Sequence, residues 1–388
     1  MLYTRKKPKG FDERIKHSIE ILQKAEKLAL NYDADNGFYL AFSGGKDSQA
    51  LYHIAILAGV KFQAHMNFTS VDPPQVIRFV RKQYPDVITH APKKSIYQLA
   101  IDKGILPSMN IRWCCADLKE SASAGKVTLI GIRKSESARR AKRHEIETSN
   151  KKFSGNFNDF GKWQEIEIEK RKNRLLRKLK REGKKINEDE FSLNSDNEIR
   201  CINGKDSILI SPIFNWSESD VWYFLNNVVK VPHCELYDIG YKRIGCILCP
   251  MSQYKQKLRE MKDFPHVKDN WIKAIKAIRR GGGATFADGY IWWNIPISGQ
   301  SRRVSGMLRN WEGGSTTPTK MRGVLESEKQ QRNLGRVFLD SPSVNVTTEG
   351  LNEEDIIAEN IFDWWISGKS YNKWYADKFL QLKLKFED

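Results

Sequence analysis

The sequence predicts an α/β protein: a doubly wound, mainly parallel five-stranded sheet followed by a helical C-terminal region. Two observations carry that prediction. Apolar runs of strand length alternate with segments of helical period between residues 11 and 213. The stretch 37–52 also reads, without interruption, as strand, glycine turn and helix. Strands alternating with helices form parallel sheets, and ligands settle beyond the strand C-termini of such sheets.

In chain order, residues 11–33 form an amphipathic helix, with Ile15, Ile19, Ile21, Leu22, Leu28 and Leu30 available to one broad face. The apolar run 38–42 is the first strand. Ser43 to Ser48 turn the chain, and Ala50, Leu51, Ile54, Ala55 and Leu57 follow at helical spacing. Residues 60–68 are the second strand. Asp72, Pro73 and Pro74 open the next helix, because proline is tolerated in a first turn; Val76, Ile77, Phe79, Val80 and Tyr84 fill it. Residues 87–89 make a third strand, 95–103 a helix, 127–132 a fourth strand and 208–213 a fifth. Ser43–Ser48 and Gly131–Arg133 both fall at strand C-terminal ends.

A chain of 388 residues, 40% of them hydrophobic, holds two domains or one domain with large insertions. The division expected is a helix over 1–36, a domain over 37–252 with a basic insertion at 134–205, and a mainly helical domain over 253–388. The net charge of +18 favours a polyanionic partner; solubility plus a small bound anion is the plainer account. The basic N-terminus lacks an apolar run behind it, and no stretch approaches the ~18 apolar residues of a membrane span. A cytoplasmic protein without membrane contact is the expectation. There, the 6 cysteines serve as thiols, metal ligands or redox groups rather than structural disulfides.

Residues 162–185 carry Lys and Arg in excess of Glu, with a thin stripe of Leu175, Leu176 and Leu179. This is either a solvated basic helix or an arm that contacts phosphates. Tyr290, Trp292, Trp293, Arg302, Arg303, Arg309 and Trp311 either stack on bases or combine core and surface charge. Gly281 to Gly283 read as a flexible joint, and Trp364, Trp365 and Trp374 as buried side chains of a C-terminal helical region.

Two motifs carry chemistry. In the first, Gly44 and Gly45 allow close approach of backbone to an anion, Lys46 adds charge, and Ser43 and Ser48 add hydroxyls at a helix N-terminus. Its spacing is not the common Gly-x-x-x-x-Gly-Lys-Ser/Thr pattern, and an ordinary strand-to-helix turn is the plain alternative. The second combines Cys114-Cys115 with Cys246-x-x-Cys249. Four thiolates suit a structural zinc or a [4Fe–4S] cluster, and adjacent cysteines, whose side chains diverge, favour the bulkier cluster. Cys201 and Cys234 read as ordinary small thiols.

Ser43-Gly44-Gly45-Lys46-Asp47-Ser48 resembles the PP-loop of ATP pyrophosphatases and of the phosphoadenosine phosphosulfate (PAPS) reductase family. The resemblance extends in order through residues 112–119, which include Cys114, Cys115 and Lys119; 131–139, with Gly131, Arg133, Glu136 and Arg139; 212–222; and 231–250. It covers about 37–252 and implies an adenine nucleotide alpha hydrolase-like fold. It further implies that Ser43, Gly44, Gly45, Lys46, Asp47 and Ser48 bind ATP, with Arg133 and Arg139 pairing phosphate or sulfate oxygens. Glu136 would orient an arginine, and Asp47 would help hold Mg2+ or cap the helix. Cys114, Cys115, Cys246 and Cys249 would ligate the cluster, with Lys119 offsetting its charge; structural Zn2+ is the alternative. Trp216 and Asp220 read as structural.

Relatives that reduce APS or PAPS carry a nucleophilic cysteine in a Glu-Cys-Gly-Leu-His segment, whereas this sequence has no cysteine after Cys249. Reduction would then fall to Cys201 or Cys234. Lys46, Asp47, Arg133 and Arg139 are the catalytic candidates. The leading expectation is a PP-loop enzyme that adenylates a nucleic acid, DNA rather than RNA, for sulfur transfer from a donor such as a cysteine desulfurase, as in DNA phosphorothioation. The alternatives are a sulfonucleotide reductase and a non-catalytic nucleotide sensor that binds nucleic acid.

Overall fold

The computed structural model describes residues 6–182, 201–202, 205–281, 285–287, 290–292, 353–369, 373–374 and 377. Its chain forms two compact units, one of residues 1–96, 111–252 and 262–264, the other of 97–110, 253–261 and 265–388.

The first unit is built on a sheet whose order is β3-β2-β1-β4-β7-β5-β6. Strands β1 (Phe38–Ala41), β2 (Phe62–Asn67), β3 (Ile88–His90), β4 (Val127–Leu129) and β7 (Ile208–Ile210) run parallel. All five expected strands are therefore present, but the sheet has seven. The two extra strands, β5 (Ile146–Thr148) and β6 (Ser154–Gly155), come from the basic insertion and add antiparallel to the β7 edge. Their brevity hid them: runs of two or three residues are too short for an alternating pattern. Thr148 nevertheless closes the turn between them through its side chain, which accepts from Phe153 N at 3.0 Å.

Phe38, Leu40, Val127, Leu129, Ile208 and Ile210 are fully buried, so the central strands form the core. Helix α1 (Phe11–Tyr32) and helix α2 (Lys46–Ala58) pack on each other. Leu22, Ala25 and Ala29 of α1 and Ala50, Leu51, Ile54 and Ala55 of α2 provide the apolar faces, at the spacing of one helical stripe. Helix α3 (Pro74–Gln83) starts at its prolines and buries Val76 and Val80. Two polar pins fix α1. Ser18 Oγ donates to Pro212 O at 2.7 Å and accepts from Trp216 Nε1, while Arg14 pairs with Asp220 at 2.7 Å. Trp216 and Asp220 are thus structural, as expected, and Asp220 also closes a capping box with Ser217.

Strand β1 lies between β2 and β4: the chain leaves β1 for β2 and β3 on one side, then returns to β4 on the other. This is the switch point at which parallel sheets open a crevice. The loops after β1 and β4 meet there. A Cβ on Gly131 would come within 3.0 Å of Asp47 O, so only glycine lets the β4 loop press against the start of α2.

The long helix of the insertion, here α5 (Phe157–Arg181), anchors its start with Phe160 and Trp163 against Phe153. Further along, Arg174, Arg177, Lys178, Lys180 and Arg181 are exposed. Leu175 and Leu179 lie outside the described side chains.

In the second unit, helix α8 (Pro265–Arg280) packs on α9 (Glu353–Ser367). Trp271 and Trp365 meet with ring centroids 4.8 Å apart, and Trp365 Nε1 donates to Pro107 O at 2.6 Å. The expected burial of Trp364, Trp365 and Trp374 holds. Residues 285–287 and 290–292 form a short antiparallel pair. Trp293, Arg302, Arg303, Arg309 and Trp311 lie outside the described residues. Among the described residues no helix is long and apolar enough to cross a membrane.

Candidate active site

The phosphate loop is shaped by the junction of β1 and α2. Gly44 sits at φ +70°, the left-handed region, and a Cβ there would lie 2.8 Å from both Val76 and Val80. Glycine is required for the turn and for the packing of α3 beneath it. Gly45 is the N-cap of α2 and contributes no side chain; the first amide of the helix, Lys46 N, instead donates to the Tyr237 hydroxyl at 2.8 Å. Ser48 Oγ ties the loop together: it donates to Gly45 O at 2.9 Å and accepts from Ser43 N at 3.2 Å. Ser43 Oγ lies 3.1 Å from the same oxygen.

A cavity of about 140 Å3 opens over this loop. Ser43, Gly45, Ser48, Arg140, Tyr237 and Arg243 contribute to its wall. Burial lowers the pKa of Arg140, the neighbouring Glu136 opposes that shift, and the Arg243 guanidinium adds to it. Two guanidinium groups thus face one small space, with the carboxylates of Asp47 and Glu136 in the same wall.

The predicted residues distribute unevenly. Arg133 is buried and its Nε donates to Asp47 Oδ1 at 2.6 Å. Its guanidinium also reaches Ser135 Oγ at 2.9 Å. Asp47 Oδ1 is therefore held by Arg133, while its Oδ2 lies 3.8 Å from Lys46 Nζ. Lys46 is buried, with Nζ 3.0 Å from Lys242 O and 3.6 Å from Glu218. Glu136 pairs with Arg140 and accepts from Arg133 N at 3.0 Å. Its side-chain partner is thus Arg140, whereas the expectation was Arg133 or Arg139. Arg139 is exposed and does not line the cavity; Arg140, one position on, does. A single-turn helix over Ala138–Ala141 decides between them, since neighbours on a helix point about 100° apart. Arg140, Arg243 and Tyr237 were missed by the sequence reading, although Tyr237 and Arg243 stand in the segment that carried the resemblance.

Cys114 and Cys115 lie on a helical turn that continues as a π-type turn, Ala116–Glu120. Lys119 projects from this turn and its Nζ donates to Cys246 Sγ at 3.2 Å, so the two cysteine segments meet. Thr69 Oγ1 also donates to Cys246 Sγ, at 3.4 Å, and Ile247 N donates to Val71 O. Arg112 donates to Cys115 Sγ at 3.1 Å. The thiol of Cys114 donates to Cys115, which holds the Cys115 pKa down to about 5 with help from Arg112; Cys114 is pushed up by the same bond and by burial. Burial raises Cys249, with the field of Cys246 adding to it. The field of Cys246 raises Lys119. All four thiols are free and half-buried. Among the described residues, however, no three His, Cys, Asp or Glu side chains stand in metal-holding geometry.

Cys201 and Cys234 are almost completely buried, and burial raises both thiol pKa values. Neither matches the exposed, electropositive setting of a nucleophilic thiolate.

With this geometry in place, the comparisons can be read. Residues 37–252 match the model of the phosphoadenosine phosphosulfate reductase domain. The chain belongs to this family. An uncharacterised protein of Methanocaldococcus jannaschii is 24% identical over 286 residues, covering 71% of this chain and 56% of that protein. A probable FAD synthase of Caenorhabditis briggsae is 50% identical over 36 residues, 9% of this chain and 7% of its own. The chain thus spans about half the length, or less, of the curated relatives it matches. Among solved structures, the PAPS reductase of Candida auris in its phosphate complex aligns with TM-score 0.34 and 18% identity, covering 63% of this chain and 97% of that one. The FMN adenylyltransferase of Candida glabrata, solved with FMN and an ATP analogue, has the same TM-score and 12% identity, covering 63% and 68%.

Proposed function

We propose that the chain is a PP-loop enzyme that splits ATP between the α and β phosphates and adenylates a nucleic-acid oxygen for sulfur transfer, as in DNA phosphorothioation. The cavity over Ser43–Ser48 carries the reading. It joins a helix N-terminus, two serine hydroxyls and two arginines at the switch point of a parallel sheet, where an anionic tail gains most.

The chemistry balances without a protein nucleophile. A substrate oxygen attacks the α phosphorus, the bond from that phosphorus to its bridging oxygen breaks, and pyrophosphate leaves. The outer sulfur of a persulfide, from a donor such as a cysteine desulfurase, then displaces AMP, and a thiol such as free cysteine reduces the resulting S–S bond, leaving sulfur on phosphorus and the donor in a disulfide. Phosphate oxygen is a poor leaving group; adenylation turns it into a good one. The loop amides, Ser43, Ser48, Arg140 and Arg243 would hold the departing pyrophosphate, while Arg133 and Asp47 keep the start of α2 in place. Lys46 would swing from Lys242 O to the phosphates. The stabilisation is mainly electrostatic.

Cys114, Cys115, Cys246 and Cys249 would hold a [4Fe–4S] cluster. Their donor chemistry fits: four thiols, two of them already bonded to cations. When bound, such a centre supplies a carrier or relay for sulfur. Zinc would fit the same thiols, and anaerobic iron, sulfide and zinc analysis separates the two. The exposed cations of α5 support a nucleic-acid partner; each phosphate they neutralise should steepen the salt dependence of binding by ~0.9 on a log-log plot. Buried Cys201 and Cys234 count against sulfonucleotide reduction by either thiol.

The test is an anaerobic reaction of the protein with ATP, DNA, cysteine and a cysteine desulfurase. AMP, pyrophosphate and a phosphorothioate dinucleotide after nuclease digestion are expected. Sulfite released from PAPS, with no AMP formed from ATP, would establish the reductase instead.

A further inference from the structure

One side chain over the loop has a hydrogen bond left to give. Tyr237 is 2% exposed, and its hydroxyl oxygen accepts from Lys46 N at 2.8 Å. That amide is the first of helix α2. The phenol's own proton has no acceptor among the described residues, yet the residue lines the cavity. A Cβ on Gly45 would lie 3.5 Å from the same oxygen, so the hydroxyl stands directly over the loop glycine.

The position is enforced from three sides. Trp222 meets the Tyr237 ring edge-on at 5.0 Å, with His233 on the same cluster. Gln49, inside α2, donates to Pro232 O at 2.9 Å and ties the segment that leads to Tyr237 onto the helix. Lys46 Nζ lies 5.6 Å from the ring centroid. Burial pushes the phenol pKa far above its ordinary value, so the group stays a donor at any working pH.

We infer that Tyr237 is a phosphate-contacting residue: its hydroxyl accepts from the Lys46 amide and passes a hydrogen bond on to a phosphate oxygen in the cavity. This rests on the nucleotide reading above. The relay extends the reach of the helix N-terminus by one hydroxyl, and a donor already polarised by an amide is a stronger one. The rival is a plug, in which the hydroxyl merely blocks the amide and must leave before phosphate enters.

Calorimetric titration of the full chain with ATP, pyrophosphate and AMP separates these. Y237F should weaken ATP and pyrophosphate about tenfold, the scale of one hydrogen bond to a charged group, and leave AMP affinity within about twofold. Y237H keeps a ring N–H donor and should recover part of the loss; it also serves if Y237F does not fold. Tighter pyrophosphate binding by Y237F would identify a plug and overturn the relay, as would unchanged affinity in both variants. A loss shared equally by AMP would mark a structural role and also defeat it. A wild-type chain that binds neither ATP nor pyrophosphate removes the relay together with the nucleotide reading, whereas normal wild-type binding with an unaffected Y237F removes the relay alone.

Discussion

The phosphate loop and the cysteine segments lie in the same unit but are finished to different degrees. The loop is complete in itself. Backbone geometry, tight packing on Val76 and Val80, and the Arg133–Asp47 pair fix it, and a cavity of about 140 Å3 opens over it. The cysteine segments rest on side-chain contacts to sulfur: Lys119 and Thr69 on Cys246, and Arg112 on Cys115. Their thiols crowd one another electrostatically without closing on any common point. A site made of backbone is prepared by folding; a site made of thiols is finished by what it binds.

The sharpest test of that contrast uses two glycines. G44A forces a Cβ to 2.8 Å from two valines at φ +70° and should cost about 2–4 kcal/mol in urea unfolding, with loss of nucleotide binding. Gly245, next to Cys246, has nothing within 4 Å of its virtual Cβ, so G245A should stay within about 0.5 kcal/mol. Equal costs would erase the distinction.

Next in size is D47A. Arg133 is buried and would lose its carboxylate, so a destabilisation of about 3 kcal/mol is expected by the same measurement. D47N, which keeps an acceptor, should cost less. A neutral D47A would mean that the pair does not support the loop.

The smallest effect is read from the thiols of metal-free protein. Cys115 should alkylate first, with a rate that is half-maximal near pH 5, while Cys114 and Cys249 lag. The sign follows from its depressed pKa. The thiolate's contribution to stability is full above the unfolded thiol pKa of about 8.5 and is lost as pH falls through about 5. R112A should move the half-maximal pH upward. An ordinary thiol titration at Cys115 would show that the cations do not organise this segment.

Much of this was legible in the sequence because it depends on local pattern. The strand, glycine turn and helix of 37–52 were visible from residue type and spacing, and so were all five parallel strands. Lys119 was placed beside the cysteines, and its Nζ reaches Cys246. What escaped depends on contacts far apart in the chain. Arg140 displaces Arg139 because of a single helical turn, and no pattern of one turn is readable. Tyr237 acts on Lys46 across 191 positions. Asp47 belongs to Arg133 for the same reason, which its place in the loop did not reveal. Strands β5 and β6 exist because they have an edge to pair with, not because their residues demand it.

The central claim is cleavage at the α phosphorus by the loop of Ser43–Ser48. It is tested most directly by incubating anaerobically purified protein and DNA with ATP labelled at the α phosphate and separating the products. Labelled AMP, matched by pyrophosphate and abolished in K46A, is the predicted result. Labelled ADP with free phosphate, or AMP formed equally well by K46A, contradicts it.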